Sequence, residues 1–141
     1  MKISIGADHR GFQLKAEIIK HFSDHTWLDV GAHSADRTDY PIFAHEVCKN
    51  IIAGKTEYGI LLCGSGIGIA MAANRFKGIY AGLCWNEEIA RLAKQDDGTN
   101  VLVLPADFVS THQAFSIIKA WLDADFKGGV YQKRLEMIEN F

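Results

Sequence analysis

The chain is poor in several things that would narrow its role, and each shortage excludes something. It has only two prolines, Pro41 and Pro105, so no proline-rich linker or extended recognition segment divides it. Its three cysteines, Cys48, Cys63 and Cys84, form no CxxC pair, and so odd and sparse a set argues for reduced thiols in the cytoplasm rather than a disulfide frame. Charge of neither sign dominates: 15 basic residues against 17 acidic ones give a net charge of −2. No electrostatic attraction to nucleic acid or to an anionic membrane follows from that balance. No apolar run approaches the roughly 20 residues that cross a bilayer. The opening MKISIGADHRG turns to glycine and charge too early for a secretory signal. Internal repeats and low-complexity stretches are absent.

What remains is an ordinary globular composition, 48% hydrophobic and 23% charged over 141 residues. That is the size of a single domain with a real core. Short apolar runs alternate with longer amphipathic ones. Strands are expected at Lys2–Ala7, Thr26–Val30, Tyr58–Cys63, Ile79–Cys84 and Val101–Leu104. Helical spacing appears in Phe12, Leu14, Ile18, Ile19 and Phe22. It recurs after Pro41, where Ile42, Phe43, Val47, Ile51 and Ile52 are expected to face inward. Further helices are expected at Ile69–Asn74, Glu87–Lys94, Thr111–Asp123 and Tyr131–Glu139. Five alternations of strand and helix call for an α/β, Rossmann-like three-layer sandwich with a five-stranded parallel sheet, whose ligands bind outside the carboxyl ends of the strands.

The strongest local signal is Cys63-Gly64-Ser65-Gly66-Ile67-Gly68, directly behind the most continuously apolar strand. Glycines at alternate positions let a backbone approach a ligand and turn its amides toward it. The helix that follows favours negative charge at its start, which suits a phosphate or an enediolate oxygen. It also favours an anion at the Cys63 sulfur, as base or as nucleophile, although a lone cysteine is more often packing. Cys48 and Cys84 are read as packing. The dinucleotide fingerprint fails because Ile69 stands at its sixth position, which disfavours a nucleotide-binding oxidoreductase. The nucleophile elbow fails because Cys63 stands where its first glycine belongs.

His9 follows Asp8 just past the first strand, where side chains face the ligand crevice. His21 and His25 have i, i+4 spacing but no third ligand at a suitable distance, so no metal site is expected there. His33, His45 and His112 are expected to be surface or internally satisfied residues. Asp96-Asp97 beside Gly98 is read either as a helix end with a turn or as part of a site. The segment precedes the fifth strand, so it reaches the ligand rim only from its helix end or in a neighbouring subunit.

These blocks resemble the ribose-5-phosphate isomerase B family, which includes the galactose-6-phosphate isomerase subunits. The resemblance is carried by GADHRGFQLK, RTDYP, GILLCGSGIGIAMAANR, TNVLVL and FKGGVYQKR, and covers nearly the whole chain. It implies a homodimer or homotetramer with sites at the subunit interface, the helix at the chain's end docking on a neighbour. It implies an aldose–ketose isomerisation of a small sugar phosphate through a cis-enediolate, without metal or cofactor. By motif, Cys63 is the proton-moving base, and the amides from Gly64 through Gly66 and Ile67 to Gly68 hold the enediolate. Ser65, in place of a usual threonine, relays a proton. Asp8 and Tyr40 hold substrate hydroxyls; His9 and Arg134 hold the phosphate.

The sequence also departs from that pattern. Asp96 and Asp97 replace a ring-opening histidine and an asparagine. Val130 and Asp107 replace phosphate-binding arginines, and Tyr131 replaces a histidine. If Asp96 is catalytic, it opens the sugar ring in the histidine's stead. A tetrose phosphorylated on O4 closes no furanose ring and would need no such residue. A different class of function, a non-catalytic sugar-phosphate binder or one subunit of a hetero-oligomeric isomerase, is motivated by the same departures.

Overall fold

A computed structural model describes residues 1–141. Five strands, β1 (Lys2–Ala7), β2 (Thr26–Asp29), β3 (Tyr58–Cys63), β4 (Ala81–Leu83) and β5 (Val101–Pro105), form one parallel sheet in the order β2-β1-β3-β5-β4. Six helices connect and follow them: α1 (Phe12–His21), α2 (Tyr40–Ile52), α3 (Ile67–Ala73), α4 (Glu87–Gln95), α5 (Thr111–Asp123) and α6 (Val130–Glu139). This is the expected α/β sandwich. No helix is long and apolar enough to cross a membrane.

The sheet is buried on both faces because β3 and β5 are apolar along their length, as a doubly covered parallel sheet requires, and β1 departs from this inside the sheet only at the buried Ser4. Ile3, Ile5, Ile60, Leu62, Leu102 and Leu104 join Ile18, Ala90, Ile117 and Trp121 of α1, α4 and α5 in one core. Leu61, Cys63, Val101 and Val103, the alternate residues, join Ala44, Val47, Cys48, Ile69 and Ala73 of α2 and α3 in the other. Helix α1 therefore leaves β1 for one face while α3 leaves β3 for the other. The crevice between the carboxyl ends of β1 and β3 is the point where the strand order reverses, the usual ligand position in such sheets.

Some expected details differ. In α2 the inner stripe is Phe43, Ala44, Val47 and Cys48, so Ile42 and Ile52 fall outside the arc and are exposed rather than inward. The helix begins at Tyr40, one residue before Pro41, which still lies in the first turn where it lacks no needed donor. Strand β4 is three residues long. Ile79 and Cys84 are buried, but outside the ladder.

Candidate active site

At the carboxyl end of β3 the chain turns through Gly64 and Ser65 into α3. Gly66 caps that helix at φ +76°, a left-handed conformation that glycine adopts without strain. A side chain there would also collide with Leu83 Cδ1. The amides of Gly64, Ser65, Gly66 and Gly68 donate to no acceptor within the chain. The Ile67 amide, expected among them, is instead taken by Ser65 Oγ at 3.2 Å. That bond uses the hydroxyl as an acceptor and leaves its O–H to donate elsewhere.

Cys63 packs among Leu61, Ile69, Ala73 and Val103 and keeps 5% of its surface accessible. Cys48 and Cys84 are fully enclosed, and burial pushes each of their thiols up to about 12, the charge of Asp97 adding to the effect on Cys84. Both are the packing residues expected. Across the ladder from Cys63 lies Asp8, whose amide donates to Leu62 O at 3.2 Å, continuing the register that pairs Ala7 with Leu62. Asp8 is nearly buried, and its Oδ1 accepts the Arg10 amide at 3.0 Å.

The segment after β2 brings Thr38 and Tyr40 to this rim. Asp29 holds it from below, accepting from Lys15 Nζ at 2.5 Å and from the Gly31 amide at 2.9 Å. The Ala7 amide donates to Gly31 O at 2.8 Å, which fixes the segment against β1. Thr38 and His9 then bond reciprocally. The His9 amide donates to Thr38 Oγ1 at 3.1 Å, and the Thr38 amide donates to His9 Nδ1 at 3.2 Å. Because Nδ1 accepts, the neutral ring carries its proton on Nε2, a donor free for a ligand. Two residues on, Tyr40 lays its ring over the loop: a Cβ on Gly68 would lie 2.5 Å from Tyr40 Cζ and 2.8 Å from its hydroxyl.

Asp8, His9, Tyr40, Cys63 and the Gly64–Gly68 loop are thus gathered at one rim. Asp96, Asp97 and Arg134 are not. Asp96 ends α4 just before β5 starts, so it lies at the opposite rim, about 16 Å away by the rise of five strand residues. Gly98, at φ +57°, closes the helix end. The segment thus forms a helix end with a turn, on the rim away from Cys63. Lys127 Nζ stands 2.9 Å from Asp96 Oδ1 as an ion pair, and this contact raises the Lys127 pKa. Arg134, on α6, is exposed and stands over the Tyr131 ring at 5.5 Å. A cleft of about 1120 Å³ runs along the β4 edge, lined by Leu83, Trp85, Asp96, Asp97, Leu135 and Ile138 among others, and none of the residues gathered around Cys63 lines it.

Elsewhere, His21 stacks on Phe115 at 3.9 Å and His25 lies edge-on to Trp27. His33, His45 and His112 are exposed, as expected. Sequence reasoning did not single out Thr38 or Arg10. Both lie inside the motif blocks RTDYP and GADHRG, which was the only signal available. Asp107, read as the loss of a cation, proves to be the partner of Arg10.

Comparison with known proteins adds the following. A family model described as ribose/galactose isomerase matches residues 3–138. Ribose-5-phosphate isomerase B of Escherichia coli is 42% identical over 97% of this chain and 93% of its own. The structure of ribose-5-phosphate isomerase B from Clostridium thermocellum superposes with a TM-score of 0.98 at 37% identity, covering 99% of this chain and 96% of that one. The enzyme from Mycoplasma genitalium, solved with bound ribulose-5-phosphate, gives 0.93 at 37% identity, over 99% and 94%.

Proposed function

The chain belongs to the ribose/galactose isomerase family and is a sugar-phosphate isomerase, and from that premise we propose that it interconverts ribose 5-phosphate and ribulose 5-phosphate with Cys63 as the base. The observation that carries this reading is the row of unsatisfied amides at Gly64, Ser65, Gly66 and Gly68 beside the one cysteine that is not fully enclosed. The Cys63 thiolate removes the proton from C2 of the aldose. The electron pair moves into a C1–C2 double bond as the carbonyl becomes an enediolate oxygen. The loop amides hold that oxygen, each such donor stabilising a developing oxyanion by about 3 kcal/mol in a dry site. Return of the proton to C1 gives the ketose. The Ser65 hydroxyl, already oriented by the Ile67 amide, moves the proton between O1 and O2. Asp8 and Tyr40 hold substrate hydroxyls, and His9 Nε2 donates to the phosphate.

The remaining residues enter from a second copy of the chain. The apolar cleft at the β4 edge, with Trp85 and Ile138 exposed beside it, supports a homodimer in which Asp96, Asp97 and Arg134 complete the partner's site. Three unpaired thiols support a cytoplasmic enzyme.

A second reading of the substrate is favoured by the Lys127–Asp96 ion pair. A carboxylate paired with an ammonium group is a poor proton donor for opening a furanose ring. A tetrose phosphorylated on O4 needs no ring opening. Isomerisation of four-, five- and six-carbon sugar phosphates by the purified protein tests both readings. Preference for ribose 5-phosphate supports the first, a faster tetrose phosphate the second, and no turnover of any of them overturns both.

A further inference from the structure

Arg10 is a charged side chain of this rim that the chemistry above leaves unused. Its main chain is fixed by the bond to Asp8 Oδ1, and its guanidinium leans across the carboxyl end of β3 to the loop after β5. There Nε donates to Asp107 Oδ2 at 2.5 Å, and an Nη contacts the same oxygen. Asp107 is itself tied to the glycine loop. Its amide donates to Gly64 O at 3.0 Å, and that of Ala106 to Cys63 O at 2.9 Å. A Cβ on Gly64 would lie 2.8 Å from Arg10 Nε and 2.7 Å from Asp107 Oδ2. The pair therefore rests directly on the first residue of the anion loop, where only a glycine leaves room for it.

Stability does not explain this placement. The Arg10 side chain remains 56% exposed, and exposed ion pairs add little to folding. One carboxylate oxygen occupies only part of a guanidinium fork that carries five N–H donors, so donors remain for a second anion. The Cys63 side chain lies in the α2–α3 core, whereas the space a Cβ on Gly64 would fill is taken by Arg10 and Asp107. Sulfur and guanidinium thus flank one loop.

We infer that Arg10 holds the substrate's phosphate group, with Asp107 as its positioning residue, so that the span from Cys63 to Arg10 across Gly64 selects the length of the sugar phosphate. This rests on the isomerase reading above. The reacting carbons lie at the sulfur, and the phosphate end reaches over the loop to the fork that Asp107 aims. The assignment gives this chain a phosphate-binding guanidinium of its own at a rim where Asp107 brings only negative charge.

The test is steady-state kinetics of the intact protein on whichever sugar phosphate it turns over, with inorganic phosphate as competing inhibitor and probe. Arg10→Ala is expected to raise KM at least tenfold and weaken phosphate inhibition similarly, with kcat within threefold of wild type and the melting temperature nearly unchanged. Asp107→Ala is expected to raise KM about fivefold, and Asp107→Asn, which keeps an acceptor oxygen, to restore most of the loss. KM and phosphate inhibition both within twofold of wild type in Arg10→Ala would overturn the inference, as would a loss confined to kcat. Should the wild-type protein isomerise nothing, the functional reading fails. Calorimetric titration of inorganic phosphate into wild type and Arg10→Ala then still decides whether Arg10 binds phosphate.

Discussion

The Tyr40 ring lies across Gly68, with Cζ 2.5 Å from where a Cβ would sit. This contact joins the segment after β2 to the anion loop, and it sets Tyr40 at the site only while position 68 has no side chain. Gly68→Ala is expected to displace the half-exposed ring at little cost in stability, below about 1 kcal/mol, because the ring is free to swing outward. Its effect falls on kcat/KM, which should drop about tenfold or more as the Tyr40 hydroxyl leaves its place. Gly66→Ala should act differently. A positive φ and a collision with Leu83 should cost about 2–4 kcal/mol of folding stability in urea titrations.

Thiol chemistry separates the three cysteines. Burial holds the Cys48 and Cys84 thiols near 12, and neither exposes any surface. Treatment of the folded protein with iodoacetamide near pH 8 should therefore add one label, at Cys63, in step with loss of activity. Mass spectrometry of the digested protein reads the sites. Labelling of Cys48 or Cys84 at the same rate as Cys63 would contradict the packing described.

Helix α6, which carries Arg134, is tied down by Glu139, whose Oε1 accepts from the Tyr80 hydroxyl at 2.7 Å and the Gly78 amide at 2.8 Å. Those bonds hold the Glu139 carboxyl below its ordinary value, the Tyr80 bond most strongly. A depressed carboxyl stabilises the fold above its unfolded pKa, and the contribution disappears as pH falls through the lowered folded value. Tyr80 is pushed up to about 12, first by burial and then by Glu139. Its contribution is complete below the ordinary value of 10.0 and is lost as pH rises from there toward 12. Melting temperatures of wild type and Glu139→Gln should differ at neutral pH and converge in acid. A difference that persists undiminished at pH 3 would rule out this ion-linked contact.

Much of the architecture was readable in the sequence for a physical reason. A strand buried on both faces has to be apolar throughout, so YGILLC and VLVL announce themselves, and the glycines after Cys63 mark positions where Arg10, Leu83 and Tyr40 leave no room for a Cβ. Local patterns fail where burial and secondary structure separate, as at Ile79 and Cys84, which fill the core without joining β4. They fail again at Ile42 and Ile52, apolar residues outside the inner arc of α2. Contacts between distant residues leave no local mark. His9 and Thr38 are 29 positions apart and Arg10 and Asp107 are 97 apart, so each pair exists only once the sheet is assembled. The position of Asp96 before β5 left two places open in the sequence, the same rim by way of its helix end or a neighbouring subunit, and the fold sets it away from the Cys63 rim of its own chain.

The central claim is that Cys63 moves the proton, and solvent exchange at the substrate carbon reads that step directly. Ribose 5-phosphate incubated with the wild-type protein in deuterated buffer should take up deuterium at C2, followed by proton NMR, as ribulose 5-phosphate accumulates. Cys63→Ala, which removes one atom from a well-packed site and should cost only about 1 kcal/mol of stability, is expected to slow both exchange and isomerisation by about a thousandfold. Exchange by a folded Cys63→Ala protein at the wild-type rate would show that another group is the base.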